Sequence, residues 1–309
     1  MALGPLDPAA DGRDPIPVPS LSLTGERTVP QIPEENYWFR RHEVVYKWVA
    51  QQWLPGGRHS ELRAVVDAGC GEGYGTELLA TACESAGSST PVVGLELDPS
   101  AATHVAQRYD RVRVVRSNLD AVPIATSQVG LLVSLQVVEH LWDLAGFLAE
   151  CRRVLDDSGV AVMSTPNRLT FSPGLGRGQR PRNPFHVEEF DAEQLRDLLK
   201  SAGFTAVRCY GLHHGPRITE WERKHGSVVD AQIRAALDPD GIDSNTVNTA
   251  GTAGAVSTAS TGNAVSTANA VNALRDFVGS VTASDFEISE RDLDSAQDLI
   301  VIGEMSATP

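Results

Sequence analysis

From Val65 to Gly75 the chain reads Val-Val-Asp-Ala-Gly-Cys-Gly-Glu-Gly-Tyr-Gly, an apolar run that ends in an acid and opens into a glycine-rich turn. Glycines at 69, 71 and 73 let the backbone come close to a ligand, and the helix that follows presents unpaired N–H groups and a positive dipole end. That arrangement holds an anion, either a pyrophosphate or the carboxylate of an amino-acid moiety. Asp67 discriminates between the two, because a carboxylate directly before the turn disfavours a pyrophosphate and suits an ammonium group. A second acid, Glu96, ends the next apolar run about 20 to 25 residues beyond the turn, where a strand-end carboxylate grips a ribose diol. Nicotinamide-binding proteins place an acid there too. Ser117-Asn118-Leu119-Asp120 follows the third run, where Asn118 and Asp120 either read an adenine amine or serve ordinary turn chemistry.

Residues of this kind need a scaffold that brings strand ends together. Short apolar runs alternate with longer stretches of helical periodicity, the order of a parallel sheet with helices on both faces. Strands are predicted at Ala64–Asp67, Val92–Glu96, Val112–Val115, Gly130–Leu135, Val160–Ser164, Ala206–Tyr210 and Leu299–Ile302. Helices are predicted at Tyr74–Cys83, Ser100–Arg108, Leu141–Leu155 and Ala192–Ala202, the last with Asp191 and Gln194 as a capping box. Before the sheet, Tyr37, Trp38, Phe39, Val44, Val45, Trp48 and Val49 recur at helical spacing. The expected organisation is a disordered tail over 1–22 and a lid helix within 23–63, then a core over 64–212. Cap segments over 213–243 and 273–303, the latter including the last strand, flank a low-complexity insertion over 244–272. That insertion repeats Ala-Val-Ser-Thr-Ala at 255–259 and 264–268 and carries too little large apolar surface to offset its ordering entropy.

A net charge of -14, from 26 Lys and Arg against 40 Asp and Glu, argues against a nucleic-acid partner. No apolar run approaches the roughly 18 residues of a membrane span. The Pro-rich start lacks the basic and apolar regions of a signal peptide, and the four cysteines lack metal or redox spacing. A cytoplasmic protein is expected, of undetermined oligomeric state.

The strand, glycine turn and downstream acid resemble class I S-adenosylmethionine-dependent methyltransferases over about Ala64 to Ile302, the low-complexity stretch excluded. The resemblance implies a Rossmann-like, doubly wound α/β sheet of seven strands, the last antiparallel, and S-adenosylmethionine as cofactor. It assigns Asp67, Gly69, Gly71 and Gly73 to the methionine end, Glu96 and Leu97 to the ribose side, Asn118 and Leu119 to the adenine, and Gln136 to the sulfonium. Further motifs lie outside that site: Glu35-Asn36-Tyr37-Trp38-Phe39-Arg40-Arg41-His42, Glu139-His140-Leu141-Trp142-Asp143, Ser164-Thr165-Pro166-Asn167-Arg168, Asn183-Pro184-Phe185-His186 and Leu212-His213-His214-Gly215-Pro216-Arg217. These resemble the mycobacterial methyltransferases associated with methylglucose lipopolysaccharide synthesis, which implies O-methylation of glucose units in an α-glucan at the 6-hydroxyl. The low-complexity stretch and the acidic N-terminal tail depart from that likeness.

An alcohol attacking the sulfonium methyl needs in-line placement and a base. His140, after the fourth strand, is the leading candidate, with Glu139 beside it. His186 is the second, or else it braces the helix at Asp191. Glu139 and His140 are also similar to the cation ligands of quinone-pathway O-methyltransferases, although Gln136 stands where those enzymes carry a carboxylate, so a metal is not expected. Tyr37, Trp38 and Phe39 either stack on a sugar ring or pack in the core. Arg40 and Arg41 either pair a cofactor carboxylate or lie on an exposed helix face. His213 and His214, expected in a Gly-Pro loop, are candidates for an acceptor groove. The alternatives to carbohydrate methylation are methylation of a quinone or other small molecule, a nicotinamide-dependent oxidoreductase, and a non-catalytic cofactor-binding partner.

Overall fold

The computed structural model describes residues 28–30, 32–54, 62–237 and 272–305. The expected tail over 1–22 and, apart from Asn272, the low-complexity stretch over 244–272 lie outside the described residues. Along the chain run α1 (Asn36–Trp53), β1 (Val65–Ala68), α2 (Tyr74–Ser85), β2 (Val92–Glu96), α3 (Pro99–Arg108), β3 (Arg113–Arg116) and β4 (Val129–Leu135). Then come α4 (Leu144–Val154), β5 (Leu155–Pro166), α5 (Arg168–Phe171), α6 (Ala192–Ser201), β6 (Arg208–His214), α7 (Pro216–His225), α8 (Val228–Leu237), β7 (Phe286–Ser289) and β8 (Asp298–Glu304). Among the described residues no helix is long and apolar enough to cross a membrane.

The strands form one sheet in the order β3-β2-β1-β4-β5-β8-β6-β7. β1 to β5 are mutually parallel, and β8 enters antiparallel between β5 and β6, as expected for the last strand. β1 and β4 are buried at every position, which requires helices on both faces. One apolar cluster packs α1 and α2 against one face, and a second packs α4 and α6 against the other.

Three expectations need correction. The sheet has eight strands rather than seven, because Phe286–Ser289 pairs antiparallel with the outer edge of β6. An edge strand buries one face only, and four residues with Phe286 inward and Glu287 outward give little periodic signal. β6 extends to His214, so His213 and His214 stand on a strand opposite Glu287 and Phe286 rather than in a loop. α4 begins at Leu144 rather than Leu141, because the Asp143 side chain accepts from the Gly146 N–H at 2.8 Å and caps the helix there. His140 thereby falls in a separate 3₁₀ turn, Val138–His140.

The position of α1 rests on one buried ion pair. Arg41, only 2% exposed, makes a bidentate pair with Asp298 at the start of β8, so it does not lie on an exposed helix face. Its guanidinium lies against the rings of Phe171 and Trp38, at 4.7 and 5.3 Å from their centroids. Arg40, by contrast, reaches solvent and bonds Glu43 at 2.8 Å. Removing one partner of a buried pair strands the other charge, whereas replacing both with apolar groups can be nearly neutral. Arg41→Met should therefore lose about 3–5 kcal/mol in urea unfolding, and Arg41→Met combined with Asp298→Leu should regain most of that. A double variant as unstable as the single one would contradict this account of the pair.

Candidate active site

A cleft of about 230 Å³ opens at the carboxyl ends of β1, β2 and β4, beside the point where strand order reverses between β1 and β4. Its floor is the glycine turn. Gly69, Gly71 and Gly73 all have left-handed backbone, with φ of 85°, 57° and 98°. At Gly69 a side chain is excluded twice, since an added Cβ would also lie 2.6 Å from Val137. Glu96 organises the turn from the next strand, accepting from Gly71 N–H at 2.9 Å and from Asp98 N–H at 2.8 Å. Glu72, buried below, accepts from the Tyr109 hydroxyl at 2.8 Å and lies 2.8 Å from His104 Nε2, tying the turn to α3.

Gly69, Gly71, Glu96, Gln136 and His140 line one cleft, as the sequence reading requires of a shared site. Asp67 stands behind its wall, fully buried, where its carboxylate accepts from the Thr76 hydroxyl at 2.6 Å and the Tyr46 hydroxyl at 3.1 Å. Tyr46 is the group that faces the cleft. Burial raises the Asp67 pKa from 3.8 to about 7, against the pull of those two hydrogen bonds and with a smaller upward push from Glu96. Leu97 and Asn118 are exposed beyond the ends of β2 and β3, and Leu119 is buried; Asn118 Oδ1 accepts from the Leu119 N–H at 2.8 Å. Gln136, with a left-handed φ of 57°, donates from Nε2 to Ser164 Oγ at 3.1 Å and Asp298 Oδ1 at 3.2 Å.

Thr28, His42 and Tyr46 complete the cleft from the N-terminal segment, and the sequence reading gave none of them a site role. His42 and Tyr46 are four residues apart on α1, so a polar stripe within the apolar helix face was the available signal. Burial, with the nearby Arg41 charge, pushes the His42 pKa down to about 3, which keeps the ring neutral beside the Tyr74 hydroxyl at 3.2 Å.

At the end of β4, Glu139, His140 and His186 come together. Glu139 is buried, and burial drives its pKa up to about 7 although the His186 charge opposes the rise. His140 Nδ1 lies 3.1 Å from the Phe185 carbonyl oxygen, and His186 Nδ1 lies 2.7 Å from Glu189 Oε1. The remaining candidates cluster elsewhere. Tyr37 is fully buried, its hydroxyl 2.7 Å from His214 Nε2, while His214 Nδ1 meets Glu222 at 2.9 Å. Trp38 packs edge-on against Tyr37 and over Arg41. Tyr37, Trp38, Arg41 and His214 therefore belong to the packing of α1 on β6 and β8, His213 lies on the other face of β6 on the side of Gly211 and Ala296, and none of the five lines the cleft.

The protonated Asp67 predicts a pH dependence. The folded chain keeps this proton up to about pH 7, whereas the unfolded chain releases it near 3.8, so the native state binds more protons across that window. Stability from this group is present at low pH and falls as pH rises. In urea unfolding of the ligand-free protein, wild type should lose on the order of 2–4 kcal/mol relative to Asp67→Asn between roughly pH 4 and pH 7. A difference that grows in favour of wild type with rising pH would refute the buried, protonated state.

Residues 66–163 match a family model described as a methyltransferase domain. A probable S-adenosylmethionine-dependent methyltransferase of Mycobacterium tuberculosis is 41% identical over 287 residues, covering 91% of this chain and 89% of that protein. A ubiquinone biosynthesis O-methyltransferase of Methylobacterium nodulans is 26% identical over 187 residues, covering 57% of this chain and 73% of that protein. A crystal structure of a SAM-dependent methyltransferase from Thermotoga maritima shares the fold, with a TM-score of 0.50 at 14% identity over 88% of this chain and 95% of that one. These matches overturn the nicotinamide alternative and the non-catalytic one together. With its glycine turn, strand-end acid and reversed strand order, the chain is an enzyme of the S-adenosylmethionine-dependent methyltransferase family and uses that cofactor.

Proposed function

We propose that the enzyme methylates a hydroxyl group of a carbohydrate, the 6-hydroxyl of glucose units in an α-glucan. The observation that carries this reading is the convergence of Glu139, His140 and His186 at the end of β4, with His140 itself in the cleft wall. A hydroxyl, unlike an amine, has to lose a tightly held proton as it attacks, and this cluster supplies groups suited to deal with it. The Phe185 carbonyl on Nδ1 makes that nitrogen the donor, so the lone pair of His140 sits on Nε2, through which it acts on the acceptor hydroxyl. The sugar assignment is supported by the resemblance of the motifs around Asn36–His42, Glu139–Asp143 and Asn183–His186.

In this reading Gly69, Gly71 and Gly73 cradle the methionine end, with Asp67 acting on it through Tyr46. Glu96 holds the ribose with Leu97 against it, Asn118 and Leu119 flank the adenine, and Gln136 adjoins the sulfonium. Four buried, unbridged cysteines support a cytoplasmic setting. A second reading, methylation of a quinol or another small aromatic hydroxyl, is favoured by the Glu139-His140 pair.

Incubating the protein with methyl-labelled cofactor and a panel of α-glucans, glucosylglycerates and quinols decides between them. Label should enter the glucans as a 6-O-methyl ether, and label confined to quinols would reverse the assignment. On the accepted substrate, His140→Ala should lower turnover by about 100-fold to 10,000-fold while cofactor affinity measured by calorimetry stays within a few-fold of wild type. Near-normal turnover would remove His140 from the chemistry.

A further inference from the structure

Tyr37, Trp38 and Phe39, the rings with sugar stacking as one of their two readings, are taken up by packing: Tyr37 and Phe39 are buried, and Trp38 lies over Arg41. Two other rings stand outside the core. Among the described residues, Trp142, 90% exposed, and Phe185, 58% exposed, are the only Phe, Trp or Tyr side chains left largely in solvent. Both come from the segments that meet beside His140. Trp142 follows that residue by two positions, a chain span of at most about 7 Å, and the Phe185 carbonyl oxygen lies 3.1 Å from its Nδ1. His140 lines the cleft and neither ring does, so the two aromatics belong to the surface just outside the cleft wall.

The backbone that carries these rings is fixed. The His140 N–H donates to the Val137 carbonyl at 2.9 Å, and the Asp143 side chain caps α4 by accepting from the Gly146 N–H at 2.8 Å, so Trp142 sits between two ordered turns. Leu141 and Leu144, on either side of it, pack against the core while Trp142 turns outward. On the facing segment the Phe185 N–H donates to Asn183 Oδ1 at 3.0 Å, and the Val187 N–H donates to the Glu139 carbonyl at 2.7 Å. A large ring kept in solvent on an anchored backbone gains nothing for folding. It does present a preorganised apolar face, which loses little freedom when a ligand covers it.

We propose that Trp142 and Phe185 form an outer acceptor subsite, which takes the face of a glucose unit beyond the one being methylated and so selects glucan chains over single sugars. The proposal rests on the carbohydrate reading and extends it from the reacting hydroxyl to the length of the acceptor. A glucose ring is polar around its rim and apolar on its faces, where axial C–H bonds meet the negative π-face of an aromatic ring. Polar side chains, Asp143 and Arg182, stand exposed within three residues of the rings, which suits a ring rimmed with hydroxyls better than a membrane or a broad apolar partner surface. The net charge of -14 disfavours an anionic acceptor, and an α-glucan is uncharged. Because the rings lie outside the cleft, the unit they contact is not the reacting one. A small single-ring acceptor would leave them bare.

Methyl-labelled cofactor with linear α-glucans of increasing length, from maltose upward, tests the subsite in the full chain. In wild type KM should fall as the chain lengthens and level off once the outer unit is covered. Trp142→Ala should raise KM for maltoheptaose by about 5-fold to 50-fold while kcat falls by less than about 3-fold, and Phe185→Ala should raise it by about 3-fold to 10-fold. Trp142→Phe should recover most of the Trp142→Ala loss, and melting curves verify that each variant is folded. Fluorescence supplies a readout independent of transfer: maltoheptaose should shield the exposed indole from iodide quenching in wild type, and that shielding should be missing from Trp142→Phe. A KM indifferent to length in wild type, or unchanged in folded Trp142→Ala, would overturn the subsite and leave the 6-hydroxyl reading standing. So would a shift of Trp142→Ala to a smaller species in sedimentation, which would give the rings to a second copy of the chain. Glucan that shields Trp142 yet receives no methyl group would support the subsite and sink the methylation reading alone, whereas neither shielding nor transfer would overturn the proposal.

Discussion

The buried pair between Arg41 and Asp298 is the constraint on which the cleft depends. It joins the first helix of the described chain to the last strand, and the same carboxylate receives the Gln136 amide from the end of β4. Three segments far apart in sequence thus meet on one acid. Charges buried this deeply are tolerated only when paired and further hydrogen-bonded, so α1 has one register in which Arg41 reaches Asp298 and the rings of Trp38 and Phe171 cover it. That register sets His42 and Tyr46, one and five positions further along, into the wall of the cleft.

A second chain of contacts runs from Tyr46 inward. Its hydroxyl donates to Asp67, while its ring lies where any side chain on Gly75 would stand, 2.1 Å from the position of an added Cβ. The glycine run therefore serves two purposes: its early members shape a ligand-facing turn, and Gly75 lets α1 approach α2. Glu96 fastens the turn to β2 by accepting from the Gly71 N–H, and the Gly69 and Cys70 N–H groups donate to the Leu95 carbonyl, so the cleft floor is ordered by the protein's own hydrogen bonds. A preorganised floor loses little further freedom when a ligand binds.

The carboxyl end of β4 is built differently. Its groups come from a 3₁₀ turn after β4 and a loop before α6, held by contacts such as the Val187 N–H to the Glu139 carbonyl at 2.7 Å. Loops on a rigid sheet edge can vary without disturbing the cofactor side, which is how one fold serves many acceptors.

Local sequence was enough to predict seven of the eight strands and the glycine turn that floors the cleft. Apolar runs at fixed intervals, a glycine turn behind an acid and a capping box at Asp191 are each encoded within a dozen residues, and local chemistry alone makes them strands, turns and helix starts. Only tertiary structure decided what the polar residues do. Arg41 reads as either a ligand-pairing or a solvent-facing charge until Asp298, 257 positions away, arrives beside it, and His214 reads as a loop residue until Phe286 pairs with its strand. Asp67 reads as a ligand contact until Tyr46 and Thr76 enclose it. His186 and Glu139 become neighbours only when two loops meet at one strand end. Burial, hydrogen-bond satisfaction and charge pairing depend on partners remote in sequence, and those partners are chosen by the packed fold rather than by any local pattern.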